Sequence, residues 1–221
     1  MAVESRTGSF AETSVGRMHY VHRGTGTPLV LLHPLGTSTW TWEATMDKLS
    51  RSYACYAFDM LGHGESDKPS RHFNIPDYAN ALDHACQILN IHRGHYVGNS
   101  VGAILAAEMA ASFPERLDKL VLVGCPVWDP RTAAQRLEDA SGGYDEQDIA
   151  KPRTLEELKA STTFADPKPE WVDATNQTRA QAGVWVGKLM QSLAHYDIMA
   201  RLPRIQASAT MVMYGEVDRL R

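Results

Sequence analysis

Apolar residues in this chain fall into short unbroken runs separated by stretches of helical spacing. Pro28 to His33, Tyr53 to Asp59, His95 to Gly98 and Leu117 to Gly124 are strand-length and show little polar alternation. Runs of that kind suit parallel strands buried on both faces. Between them, Thr39 to Ser50 places Trp42, Met46 and Leu49 on one side of a helix. Pro76 to Asn90 does the same with Ala81, Ala85, Ile88 and Leu89, and Val101 to Ser112 is a helix of small apolar residues. Such a helix can pack close to a sheet. Phe10 to His22 alternates loosely and predicts one or two antiparallel strands turning near Gly16. Strands alternating with helices predict an α/β fold with a mostly parallel, doubly wound sheet.

The pattern changes after Cys125. From Val127 to about His195 there is no strand-like run, and helix signals replace it. Asp129-Pro130 reads as an N-cap followed by Pro at the first helical position. Thr154-Leu-Glu-Glu157 has capping-box spacing. Trp171 to Leu193 carries a long amphipathic pattern. Ala209 to Tyr214 then predicts another buried strand. The expected organisation is a core over 1–126, a helical insertion over 127–195, and a return to the core over 196–221.

The 221 residues suffice for one domain with a sizeable core and a smaller insertion. A net charge of −4 gives no reason to expect nucleic acid or an anionic membrane as partner. No apolar run approaches the roughly 20 residues of a membrane span, and Met1 to Phe10 lacks the apolar stretch of a secretory signal. Cys55, Cys86 and Cys125, odd in number and without CxxC spacing, read as reduced buried thiols. These features predict a cytoplasmic protein. Neither an HExxH nor a phosphate-cradling Gly-rich motif is present, so no metal or nucleotide cofactor is expected. Nothing in the sequence fixes an oligomeric state.

The chemistry concentrates at Gly98-Asn-Ser-Val-Gly102. By chance a GxSxG arises in on the order of one such chain in ten. Here it lies between a predicted strand and a predicted small-residue helix, the context of a nucleophile elbow. A tight strand-to-helix turn lifts Ser100 clear of the sheet, and glycines on either side remove the Cβ atoms that would collide. The Val101 amide then opens a helix, where free N–H groups and the helix dipole favour an oxyanion. A second donor is expected after the first buried strand, in His33-Pro-Leu-Gly36, and Leu35 is the candidate. His33 reads as a residue pinning that loop. Asp59-Met-Leu-Gly-His-Gly-Glu-Ser66 reads as a tight structural loop, with His63 a loop residue. Asp218, after the last predicted strand, is the favoured acid to orient a catalytic imidazole. Asp129 is its rival, although capping accounts for that residue. The tryptophans Trp40, Trp42, Trp128, Trp171 and Trp185 either line an apolar acyl pocket or pack in the core.

Taken in order, His33 to Gly36, Asp59 to Ser66, Gly98 to Gly102, and Leu202-Pro-Arg-Ile205 leading into Ala209 to Asp218 resemble the α/β-hydrolase superfamily over essentially the whole chain. The resemblance implies Ser100 as nucleophile and Asp218 as triad acid. It also implies the Leu35 and Val101 amides as the oxyanion hole, and 127–195 as a cap. It departs from the family at His33-Pro34, where His-Gly is frequent. The triad order of this fold is Ser, acid, His, yet all nine histidines precede Asp218. The base is therefore expected beyond Arg221, with His195 as a less favoured substitute. The implied reaction is cleavage of a small carboxylic ester or lactone through an acyl-enzyme. Gly-Asn-Ser at the elbow also resembles hydrolases that cleave carbon–carbon bonds in ring-fission products. A non-catalytic ligand receptor on the same fold is the alternative from another class.

Overall fold

The computed structural model describes residues 8–126, 131–160 and 166–216. The chain opens with a hairpin, β1 (Ser9–Thr13) and β2 (Gly16–Arg23), paired antiparallel with Thr13 opposite Gly16. β3 (Thr27–Leu32), β4 (Tyr53–Phe58), β5 (Gly94–Asn99) and β6 (Leu117–Val123) follow, with α1 (Glu43–Leu49), α2 (Ile75–Ile88) and α3 (Val101–Ser112) as the crossovers. After β6 come α4 (Ala133–Ser141), α5 (Leu155–Ala160), α6 (Pro169–Ala182) and α7 (Trp185–Ala194). β7 (Ala209–Met213) then rejoins the sheet. The strand order is β1-β2-β4-β3-β5-β6-β7. β2 pairs antiparallel with both neighbours, and every pair from β4 to β7 is parallel.

β3 shows why the apolar runs are unbroken. Its side chains alternate between two cores. Leu29 and Leu31 pack with Trp42 and Met46 on the α1 face, while Val30 and Leu32 pack with α2 and α3 on the other. α3 is buried from Val101 through Ala111, as its small residues allow. α2 starts at a reciprocal capping box between Asn74 and Asp77, with Pro76 in its first turn. Thr154 and Glu157 cap α5 in the same way, as their spacing predicts.

Three expectations are corrected. The segment from Thr39 is a 3-10 turn through Trp42 before α1 begins. The pattern from Trp171 to Leu193 is two helices, because Gly183 takes φ 58° and ends α6. β7 is exposed along its length rather than buried, with Met211, Val212 and Met213 about half exposed. Among the described residues it pairs only with β6, at the end of the sheet, and no described helix covers it. Among the described residues, no helix is long and apolar enough to cross a membrane.

Candidate active site

The sheet brings three predicted loops together. Leu32 on β3 pairs with Phe58 on β4 and with Gly98 on β5, so the segments starting at His33, Asp59 and Asn99 leave adjacent carboxyl ends. In open parallel sheets this end is where ligands bind.

Ser100 sits at φ 55°, ψ −117°, outside the regions open to an ordinary residue. Holding it there costs about 1–3 kcal/mol, supplied by the surrounding structure. Its own N–H bonds to the Val123 carbonyl of β6 (2.8 Å), and its carbonyl accepts from Ala103 and Ile104 in the first turn of α3. The flanking glycines make the turn possible. A Cβ on Gly98 would strike the backbone of Gly102 and Ala103, and one on Gly102 would strike the carbonyls of Leu32 and His33. α3 therefore lies directly on the ends of β3 and β5. Among the described residues, nothing hydrogen-bonds to Ser100 Oγ.

Leu35 and Ser100 line the same cavity, of about 710 Å³, and Val101 is the first residue of α3 beside it. Neither the Leu35 nor the Val101 N–H has an acceptor among the described residues. The loop carrying Leu35 is held from both ends. His33 is fully buried, its Nδ1–H donates to the Pro34 carbonyl (2.8 Å), and its Nε2 accepts from the Met60 N–H (3.0 Å). Both ring nitrogens are thus committed to backbone. Burial lowers the His33 pKa, against opposing contributions from Asp59 and the Pro34 carbonyl. Thr37 closes the turn by donating its hydroxyl to the same Pro34 carbonyl (2.8 Å).

Asp59 is the hub of the neighbouring loop. Its carboxylate accepts from His19 Nδ1–H (2.8 Å), Thr39 N–H (2.7 Å) and Glu65 N–H (3.0 Å). Burial pushes its pKa up, but His19, His33 and the Glu65 N–H outweigh burial and leave it lowered. Ser66 completes the knot by donating to the Asp59 carbonyl and accepting from the His19 N–H. All of these bonds serve the scaffold. His63, in the same loop, is fully buried, and neither ring nitrogen makes a hydrogen bond of ordinary geometry among the described residues. Burial, reinforced by His33, lowers its pKa to about 3, so it is neutral at physiological pH.

The helices after β6 rest on these loops. Arg179 of α6 is buried, donates Nε–H to the Lys151 carbonyl (3.0 Å), and places its guanidinium against Gly36. Trp185 at the start of α7 packs on Gly62, Gln181 donates to Glu65 (2.8 Å), and Ser192 donates to the Phe73 carbonyl. Sequence reasoning singled out neither Arg179 nor Gln181, since each meets its partner only in the fold. Behind the cavity, fully buried Glu108 of α3 accepts from Arg201 Nε (2.7 Å) and Tyr196 Oη (2.5 Å), fixing the segment that returns from α7.

Among the described residues, the apolar wall of the Ser100 cavity includes Leu35, Ile104, Met190, Leu193 and Ile198. The tryptophans Trp40, Trp42, Trp171 and Trp185 are not among the residues lining it; Trp42 and Trp185 are buried in packing. His195 does line the cavity, but its Nδ1 is bonded to the Gln191 carbonyl (2.8 Å) and it makes no bond to Ser100. Asp218, its rival Asp129, and Trp128 lie outside the described residues.

A mostly parallel sheet with a strained serine between strand and helix at its carboxyl edge defines the class of α/β hydrolases. The chain belongs to the alpha/beta hydrolase fold family, which residues 27–220 match. It is 31% identical over 201 residues to a 2-(acetamidomethylene)succinate hydrolase of Mesorhizobium japonicum, covering 89% of this chain and 69% of that enzyme. It is 30% identical over 179 residues to a 2-hydroxy-6-oxo-2,4-heptadienoate hydrolase of Pseudomonas putida, covering 68% and 65%. An uncharacterized protein of Mycobacterium tuberculosis is 37% identical over 100 residues, which are 45% of this chain and only 29% of that protein. The matched stretch thus spans less than two thirds of the length of some of its relatives. The fold is also that of a thermophilic esterase from Thermogutta terrifontis (TM-score 0.78, 21% identity, 95% of this chain and 80% of that one). An enol-lactonase from Burkholderia xenovorans shares it as well (TM-score 0.72, 15% identity, 96% and 93%).

Proposed function

We propose that this protein is a serine hydrolase that cleaves a small carboxylic ester or lactone through an acyl-enzyme on Ser100. The observation that carries the reading is the backbone of Ser100, held at positive φ between two glycines that admit no Cβ. Strain of this kind is retained where function requires it. In the first half-reaction Ser100 Oγ loses its proton to a general base and bonds to the substrate carbonyl carbon. The carbonyl oxygen becomes an oxyanion facing the Leu35 and Val101 N–H groups. Collapse expels the alcohol, or opens the lactone ring. Water then attacks the acyl-enzyme and releases the acid. Asp218 is assigned to orient the base, and α4 to α7 to cap the cavity and exclude water.

A second reading, hydrolysis of a carbon–carbon bond next to a carbonyl, draws on the 30% identity to the heptadienoate hydrolase. It uses the same serine and oxyanion donors. The first test is intact-mass spectrometry of the protein from its complete reading frame, before and after exposure to a fluorophosphonate. One adduct on Ser100, absent from Ser100→Ala, is expected. Failure to label, repeated with smaller phosphonates that pass the cap, refutes an activated serine and favours a non-catalytic receptor.

A further inference from the structure

The Ser100 cavity abuts a second chamber that the reaction itself does not use. This chamber has a volume of about 700 Å³ and lies between the start of α2 and the inward faces of α4 and α7. Ala140, Met190, His195, Tyr196 and Asp197 line both spaces, so the two share a wall. Each volume falls in the range of sites for small organic ligands. The residues that belong to the second chamber alone include apolar groups, Ile75 and Leu137, and the phenol of Tyr144. Gly187 lies on the α7 side, where a Cβ would press on the Asp148 carbonyl at 3.0 Å, so the absent side chain keeps that wall low. The charged groups differ between the two spaces. Among its described lining residues the Ser100 cavity has Arg131, Arg136, Asp139 and Asp197, two charges of each sign. The second chamber is lined by Asp145, Asp148 and Asp197, with no Lys or Arg among its described lining residues.

We propose that this chamber is a substrate subsite. It receives the distal arm of the acyl group whose carbonyl is attacked by Ser100, and it takes apolar, neutral or cationic arms while rejecting anionic ones. The proposal rests on Ser100 being the nucleophile. Apolar walls give affinity that grows with arm length, about fourfold per methylene where burial is complete. The three carboxylates are exposed at the rim, so their discrimination is electrostatic and weakens with salt.

The test uses p-nitrophenyl esters of increasing acyl length, together with long acyl chains ending in methyl, trimethylammonium or carboxylate. Leu137 lines only the second chamber, so Leu137→Trp fills it without touching the Ser100 cavity. Ser141→Trp does the same from an exposed position at the end of α4, and serves if Leu137→Trp folds poorly. The expected result is acetate turnover unchanged in either variant, with kcat/KM for the octanoate ester down about tenfold through KM. Carboxylate-tailed esters should be the poorest of the wild-type series. They should gain in an Asp145→Asn, Asp148→Asn double variant, and the gap should shrink in high salt. Wild-type preference for long chains in both filled variants overturns the subsite while leaving Ser100 catalysis standing. Absence of turnover of every ester, together with absence of Ser100 labelling, overturns the serine reading and the subsite with it.

Discussion

Replacing Gly98 with Ala tests the elbow at its tightest point. The added Cβ would lie 2.5 Å from Ala103 N and closer still to the Gly102 carbonyl, whereas real Cβ atoms essentially never come within 3.0 Å of such neighbours. Every atom in the way is backbone, so no side chain can rotate aside. To restore ordinary contact, β5 and the first turn of α3 must separate by about 1 Å, a displacement that costs a catalytic constellation about a hundredfold in rate. Overpacking of this size destabilises by about 1–3 kcal/mol. The matched control is Gly142→Ala, where φ is −58° and open space surrounds the site. That variant should be neutral, or more stable by about 0.4–1 kcal/mol through lost freedom of the unfolded chain. Urea unfolding reads the stabilities, and the second-order rate of Ser100 labelling by a fluorophosphonate reads the geometry. A Gly98→Ala protein with the stability and labelling rate of wild type would refute the claim that this close approach sets the serine.

Removing the buried carboxylate with Glu108→Ala strands Arg201 and Tyr196, and should cost about 3–5 kcal/mol in urea unfolding, with Glu108→Gln costing less. Acidification should destabilise the protein through His33 and His63. Each titrates near 6.5 when unfolded and lower when folded, His63 at about 3. Below pH 6.5 the unfolded state therefore binds protons that the native state refuses, so stability falls with pH until His63 itself protonates near 3. Thermal unfolding across pH 4–8 should show this slope, and His63→Phe should flatten it. Because neither His63 nitrogen makes a hydrogen bond of ordinary geometry among the described residues, His63→Phe should also be near neutral or stabilising at pH 7; a large loss there would mean that the imidazole has a partner.

Much of the fold was legible because its signals are local. Buried parallel strands need unbroken apolar runs, and the Pro28 to Leu32 run serves two cores at once. The elbow was legible because steric necessity writes it into five consecutive residues. The break at Gly183 was visible as a glycine inside a helical pattern, but amphipathic spacing on both sides masked it. The exposure of β7 was not legible, since an apolar strand reads the same at an edge as in the middle. Nor were the partnerships of His19 with Asp59, Glu108 with Arg201, or Arg179 with Gly36. Each joins residues dozens of positions apart, so spacing carries no trace of it. Spacing also left open whether the tryptophans line the pocket or pack in the core: Trp42 and Trp185 pack, and among the described residues aliphatic side chains line the space.

β7 joins the sheet only after the chain has run through four helices, the longest detour between paired strands here. The entropy of closing that loop must be met by what docking brings, and against the described residues docking leaves all five strand residues exposed, Met211 to Met213 by about half. Its ladder to β6 helps hold the strand, with a clasp at each end, Ser208 on the Asp118 carbonyl and Tyr214 on the Cys125 carbonyl. A protein of these 221 residues should therefore open β7 as a separate foldon, with less free energy than the strands around Ser100. Its amides should exchange with deuterium well before those of β3 and β5, at a rate set by this local opening rather than by global unfolding. Exchange as slow as that of β5 would show that the seventh strand shares the cooperativity of the core.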